Sequence, residues 1–142
     1  MKKVILIMLA LCMGLTACQN GDAKKNELES QKDGVEVLYF HGKQRCATCV
    51  AIERETKAVV DGQFADAVES GALDMRIIDI TKPENEAIAD KYEITWSSLV
   101  VVKREGGEEQ AENLTKFAFA NARSKPEVFR SELAAKISGW LK

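Results

Sequence analysis

The 142-residue chain has no excess of positive charge, no internal repeat, no apolar run long enough to cross a membrane, and a single histidine, His41. Each absence removes a class of function. With 20 lysines and arginines against 22 aspartates and glutamates, the formal net charge is −2, and a mildly acidic chain lacks the basic field that nucleic-acid binding needs. Lys24-Lys25 and Lys43 with Arg45 are isolated solvated charges. The apolar run from Val4 to Leu15 falls well short of the roughly 20 residues of a spanning helix, so a permanent transmembrane segment is not expected. One histidine also limits metal chemistry, because structural zinc sites use four protein ligands.

What is present begins at the first residue. Met1-Lys2-Lys3, the apolar run and the small residues Thr16 and Ala17 form the charged start, short core and cleavage region of a secretory signal. Leu15-Thr16-Ala17-Cys18 resembles the bacterial lipobox, in which a peptidase cuts before the cysteine and that cysteine carries lipid. The resemblance implies loss of residues 1–17 as a lipoprotein signal peptide and lipidation of Cys18. Cys12 leaves with the signal, so Cys46 and Cys49 are the only free thiols expected. The remainder is 142 − 17 = 125 residues with net charge −2 − 2 = −4 once Lys2 and Lys3 are gone, a size that suits one domain. Several acyl chains give stable attachment to a bilayer. The expected location is therefore extracytoplasmic and membrane-anchored through Cys18, on the periplasmic side. Residues 18–34 are polar, cannot bury a core, and are expected to form a flexible tether. The folded domain is expected over 35–142.

Val35-Glu36-Val37-Leu38-Tyr39-Phe40 is rich in β-branched and aromatic residues and reads as a largely buried strand that ends at His41-Gly42. After the loop Gly42 to Arg45, Cys46 precedes Ile52, Thr56, Val59, Val60, Phe64, Ala67 and Val68 at helical spacing, with Gly62 a candidate interruption and Gly71 a stop. Leu73 to Ile80 predicts a second strand. Thr81-Lys82-Pro83-Glu84 has the pattern of a capping box opening a helix to about Tyr92, and Ser124-Lys125-Pro126-Glu127 repeats that pattern before a last helix with the stripe Phe129, Leu133, Ile137, Trp140 and Leu141. Between them, Ser98 to Lys103 predicts a central strand, Gly106-Gly107 a hairpin turn, and Glu108 to Leu114 an exposed partner. The order is β-α-β-α-β-β-α.

The chemistry concentrates in Cys46-Ala47-Thr48-Cys49. Two thiols at this spacing can close into a disulfide, exchange with another disulfide, or hold a soft metal or metalloid. Their place at a helix start favours the thiolate, because unsatisfied N–H groups and the positive end of the helix dipole face it, and the thiolate is the reactive form. Cys46, first and nearer solvent, is expected to attack, and Cys49, one turn on, to resolve. A purely structural staple at this spacing closes a very short loop and gains little entropic stabilisation. His41 and Arg45 lie close enough in sequence to support a thiolate or shuttle a proton. The alternative is a binding module in which Cys46, Cys49 and His41 hold copper, zinc or a trivalent arsenical, since soft thiolates suit such ligands.

A strand–helix–strand pattern with a cysteine pair opening the first long helix resembles the thioredoxin superfamily from about Val35 to Lys142. The resemblance implies an α/β thioredoxin-like fold, a single domain with helices on both faces of a mixed sheet. It also implies a thiol–disulfide oxidoreductase with no cofactor beyond the Cys46–Cys49 disulfide. Its partners would be thiol or disulfide proteins and a membrane thiol-electron transporter. The surroundings depart from that family's pattern. Ala47 and Thr48 replace glycine and proline, and Arg45 replaces tryptophan. Phe40 falls where the family has a buried acid, and Ser98 where it has a cis-proline facing the cysteines. Trp96 and Ser97 precede Ser98 in the same loop. Within the superfamily, Tyr39-Phe40-His41-Gly42 and Arg45-Cys46-Ala47-Thr48-Cys49-Val50 resemble the nitrophenyl compound nitroreductase subunit family. Its name implies an auxiliary part in nitroaromatic reduction, but nothing in the chain resembles a flavin or nicotinamide site.

Overall fold

The computed structural model describes residues 32–142; the expected signal peptide, the lipidation site Cys18 and the tether as far as residue 31 lie outside the described residues. Strand β1, Gly34–His41, is buried at every position from Val35 to Phe40. A strand with both faces out of water must sit inside a sheet covered on both sides. Its neighbours supply this. β2, Leu73–Asp79, pairs with β1 in parallel, and β3, Ser98–Glu105, pairs with its other edge antiparallel. β4, Glu108–Asn113, completes the sheet in the order β2-β1-β3-β4.

Parallel β1 and β2 need a crossover. Helices α1, Ala47–Gln63, and α2, Ala65–Glu69, provide it. The break falls at Phe64, two residues beyond Gly62. The chain then turns at Gly71, whose φ of +73° is left-handed backbone that glycine adopts without strain. After β2, a 3₁₀ turn at Pro83–Asn85 leads into α3, Glu86–Lys91. The hairpin between β3 and β4 turns at Gly106 and Gly107, both at positive φ. The chain ends with α4, Thr115–Asn121, and α5, Pro126–Trp140.

Alternation along the strands divides the core. Val35, Val37 and Tyr39 pack with Leu99 and Val101 against Ile52 and Val59 of α1 and Phe129, Leu133 and Ile137 of α5. Leu38 and Phe40 pack on the opposite face with Ile78, Val100 and Val102 against Ala89 of α3 and Ile94. Helices therefore cover both faces of a mixed sheet, as expected.

Two local expectations need correction. Neither capping box forms: Lys82 and Lys125 occupy the cap positions without side-chain bonds, and proline in the first turn sets the start instead. Thr81 spends its hydroxyl on Asp79, and Ser124 donates to the Ala120 carbonyl. Helix α4 has no counterpart in the sequence pattern. It is short, has no side-chain cap, and is held by packing of Ala118 and the Phe117–Phe129 stack at 5.8 Å.

Within the second face, Glu36 and Arg104 are both buried and paired at 2.7 Å, with Arg76 at 3.2 Å from Glu36 and Glu109 at 2.9 Å from Arg104. Removing one partner of a buried pair strands the other's charge, which costs about 3–5 kcal/mol, while replacing both by apolar groups is often neutral. Glu36→Leu should lower the unfolding free energy by about 3 kcal/mol in urea, toward the lower end because Arg104 keeps Glu109, and Glu36→Leu/Arg104→Met should recover most of that loss.

Partial burial alone would raise the Glu109 carboxyl, but hydrogen bonds and charge from Lys91 and Arg104 outweigh it and hold its pKa below the ordinary value. Its contribution is therefore complete above the unfolded-state value of about 4.3 and is lost as pH falls through the lower folded value. Glu109→Gln should flatten that acid limb, measured as a smaller drop of the urea midpoint between about pH 5 and pH 3.

Candidate functional site

β1 delivers the site. The strand ends at His41, whose carbonyl accepts the Ile80 N–H at 2.9 Å, and the chain leaves the sheet through Gly42 to Arg45. Cys46 is extended, with φ −72° and ψ 162°, and caps α1. Its Sγ accepts the Cys49 N–H at 3.0 Å, so sulfur takes the place of the oxygen acceptor usual at a helix cap. Cys46 and Cys49 form a disulfide with Cα atoms 5.0 Å apart. Cys46 is exposed, whereas Cys49 is buried behind it. The first turn of α1 contains no acidic side chain to oppose a thiolate.

Directly beneath the pair lies Tyr39, fully buried, whose hydroxyl donates to the Cys49 carbonyl at 2.7 Å. Burial pushes the phenol pKa up; the Arg45 charge and hydrogen bonding with Arg45 and Ser97 pull it part of the way back. Tyr39 therefore stays a neutral donor. Phe40, aligned by resemblance with the family's buried acid, belongs to the other face of the sheet and packs 6.3 Å from the Tyr92 ring. The buried polar side chain under the cysteines is thus contributed by the preceding residue. Strand alternation carries this signal, since Tyr39 shares its face with Val35 and Val37, which meet α1.

Arg45 places its guanidinium 5.8 Å from the Tyr39 ring centroid and pairs with Glu53, which also binds Lys57 at 2.9 Å. Its charge is shared with a carboxylate on the same helix. His41 is half-buried; Nδ1 donates to the Gly42 carbonyl at 3.0 Å, and the ring lies 6.1 Å from that of Tyr39. It faces Asp79 in the sheet register and makes no hydrogen bond to either cysteine. Asp79 is held below the ordinary carboxylate range mainly by the Thr81 N–H and hydroxyl, with a smaller contribution from His41. Among the described residues, no three histidine, cysteine, aspartate or glutamate side chains gather as a metal site.

Ser98 is buried at the start of β3, opposite Phe40, and donates to the Trp96 carbonyl at 3.0 Å. Ser97, also buried, is the serine of this loop that helps to lower the Tyr39 phenol pKa. Trp96 is 57% exposed, packs against Phe119 at 5.2 Å, and lines a largely apolar cavity of about 550 Å³ with Ser98, Ile94 and Thr115. The loop Trp96–Ser98 therefore joins two features, the floor of the cysteine pair and an aromatic-walled hollow.

Scanning against protein-family models and searching curated proteins give no match. Solved structures do match. Trxlp from Edwardsiella tarda EIB202 has a TM-score of 0.50 at 15% identity, covering 80% of this chain and 94% of that one. A thioredoxin-like protein from Clostridium perfringens, known from its solution structure, has a TM-score of 0.50 at 16% identity, covering 81% of this chain and 79% of that one. The described residues form a thioredoxin-like fold, with the Cys46–Cys49 disulfide opening its first helix.

Proposed function

We propose that this protein is a thiol–disulfide oxidoreductase that works by exchange at Cys46 and Cys49. The observation that carries the reading is the asymmetry of the pair: Cys46 is exposed and its sulfur accepts a helix N-terminal N–H, while Cys49 is buried behind it. In the reduced protein, the Cys46 thiolate attacks one sulfur of a partner disulfide, and the partner's other sulfur leaves as a thiolate and takes up a proton. Cys49, deprotonated, then attacks Cys46 Sγ, re-forming the internal disulfide and releasing the second partner thiol. Two electrons pass from the dithiol to the partner. Each step is a thiolate displacement and is reversible.

The sequence before the domain supports a location. Residues 1–17 as a signal and Cys18 as a lipidated residue would tether the enzyme outside the cytoplasmic membrane, where disulfide partners occur. Reductant would come from a thiol-bearing membrane transporter. The resemblance of the Tyr39–Gly42 and Arg45–Val50 segments to the nitrophenyl compound nitroreductase subunit family supports a narrower role beside an enzyme that reduces nitroaromatic compounds. The cavity between Trp96 and Phe119 gives that role physical content, because it has room for an aromatic ring beside the loop that carries Ser97.

The test is exchange kinetics and redox equilibrium with glutathione, beside titration with copper and arsenite. Wild type should equilibrate readily, Cys46→Ser should lose exchange by at least about 100-fold, and Cys49→Ser should stop at a mixed disulfide. Sluggish exchange with tight stoichiometric metal or arsenite binding would replace this reading with a binding module.

A further inference from the structure

The Tyr39 hydroxyl is unnecessary for packing. Its ring fills a core otherwise built from Val35, Val37, Ile52, Leu99 and Val101, where phenylalanine would serve. A buried hydroxyl in such a place is destabilising if it finds no partner, and here it is directed at one atom of the redox pair, the Cys49 carbonyl, at 2.7 Å. Cys49 thus makes two polar contacts of different kinds. Its carbonyl accepts from Tyr39, and its N–H donates to Cys46 Sγ at 3.0 Å. In the oxidised protein the covalent bond ties this turn closed. Reduction removes that tie, and these two hydrogen bonds are the contacts at hand to replace it.

Resting on the exchange function above, we propose that Tyr39 is the positioning residue of the reduced dithiol: its hydroxyl holds the Cys49 carbonyl so that the Cys49 N–H stays aimed at the Cys46 sulfur. The contact matters more after reduction than before it. By stabilising the reduced protein it raises the reduction potential, and by keeping a donor on Cys46 it favours the thiolate. Arg45 on the loop, Glu53 on α1 and His41 on β1 are the charged or titratable groups around the phenol, and Tyr39→Phe leaves all three in place.

The experiment compares wild type with Tyr39→Phe by thiolate absorbance against pH, by equilibrium with glutathione, and by urea unfolding of both redox forms. A hydrogen bond with a net worth of about 0.5–1.5 kcal/mol corresponds to about a 2- to 10-fold change. Tyr39→Phe should raise the Cys46 pKa, shift the glutathione equilibrium about 2- to 10-fold toward the disulfide, and destabilise the reduced form more than the oxidised one. Equal destabilisation of both forms with pKa and equilibrium unchanged would overturn the proposal and leave Tyr39 a packing residue. If Tyr39→Phe does not fold, 3-fluorotyrosine provides the opposite perturbation. Only Tyr39 and Tyr92 are tyrosines, so labelling a Tyr92→Phe protein strengthens the donor at Tyr39 alone. The Cys46 pKa should then fall relative to the unlabelled Tyr92→Phe protein, and no change would refute the proposal. These readouts do not need a substrate: wild type that fails to exchange refutes the enzymatic reading, whereas an unchanged pKa and redox balance refute the role of Tyr39.

Discussion

Burial of β1 on both faces fixes the geometry on which the site depends. Side chains alternate across a strand, so once Val35 and Val37 are committed to the face under α1, Tyr39 must follow them and Phe40 must take the other side. The same commitment brings the end of the strand under the start of α1, because the parallel partner β2 requires the chain to cross over the sheet there. Cys46 thus reaches the helix cap from a fixed floor. The exposed sulfur, the buried sulfur and the phenol beneath them are three consequences of one packing constraint.

Electrostatics at the site are local. The Cys49 N–H is directed at Cys46 Sγ, and α1 adds its unpaired N-terminal N–H groups while its first turn carries no acid. Arg45 contributes less than its position beside Cys46 suggests, since Glu53 and the Tyr39 ring both engage its guanidinium. The larger charge cluster, Glu36 with Arg76, Arg104 and Glu109, begins near the opposite end of β1. It joins all four strands of the sheet across the face that holds Phe40 rather than Tyr39. Stability of the sheet and chemistry of the cysteines are therefore carried by different polar groups.

Much of this was legible in the chain. β-Branched and aromatic residues marked β1 as a largely buried strand, the glycine pair at 106 and 107 marked the hairpin, and cysteine spacing ahead of a helical stripe placed the pair at a helix start. The fold class followed from element order. What escaped has a common cause: it depends on tertiary partners. Helix α4 has neither cap nor length, and exists because Phe117 and Ala118 find neighbours. The capping boxes at Thr81 and Ser124 do not form because proline in the first turn sets the cap at Lys82 and Lys125, one residue later, and the hydroxyls donate to the Asp79 carboxylate and the Ala120 carbonyl. At the site, one-to-one alignment with a family pattern pointed to Phe40, whereas the pleat selects Tyr39, and only the folded chain lets Ser97 help to lower its phenol pKa. His41 and Ser98, singled out by sequence proximity and alignment, make their polar contacts with Gly42 and Trp96.

The central claim is that the fold makes the two cysteines unequal. Alkylation of the reduced protein across pH, with each modified cysteine located by mass spectrometry, measures this directly. Cys46 should react first, with a thiolate pKa below the ordinary cysteine value of about 8.5, while Cys49 remains protected. Equal rates at both sulfurs, or a Cys46 pKa at or above that ordinary value, would contradict the account.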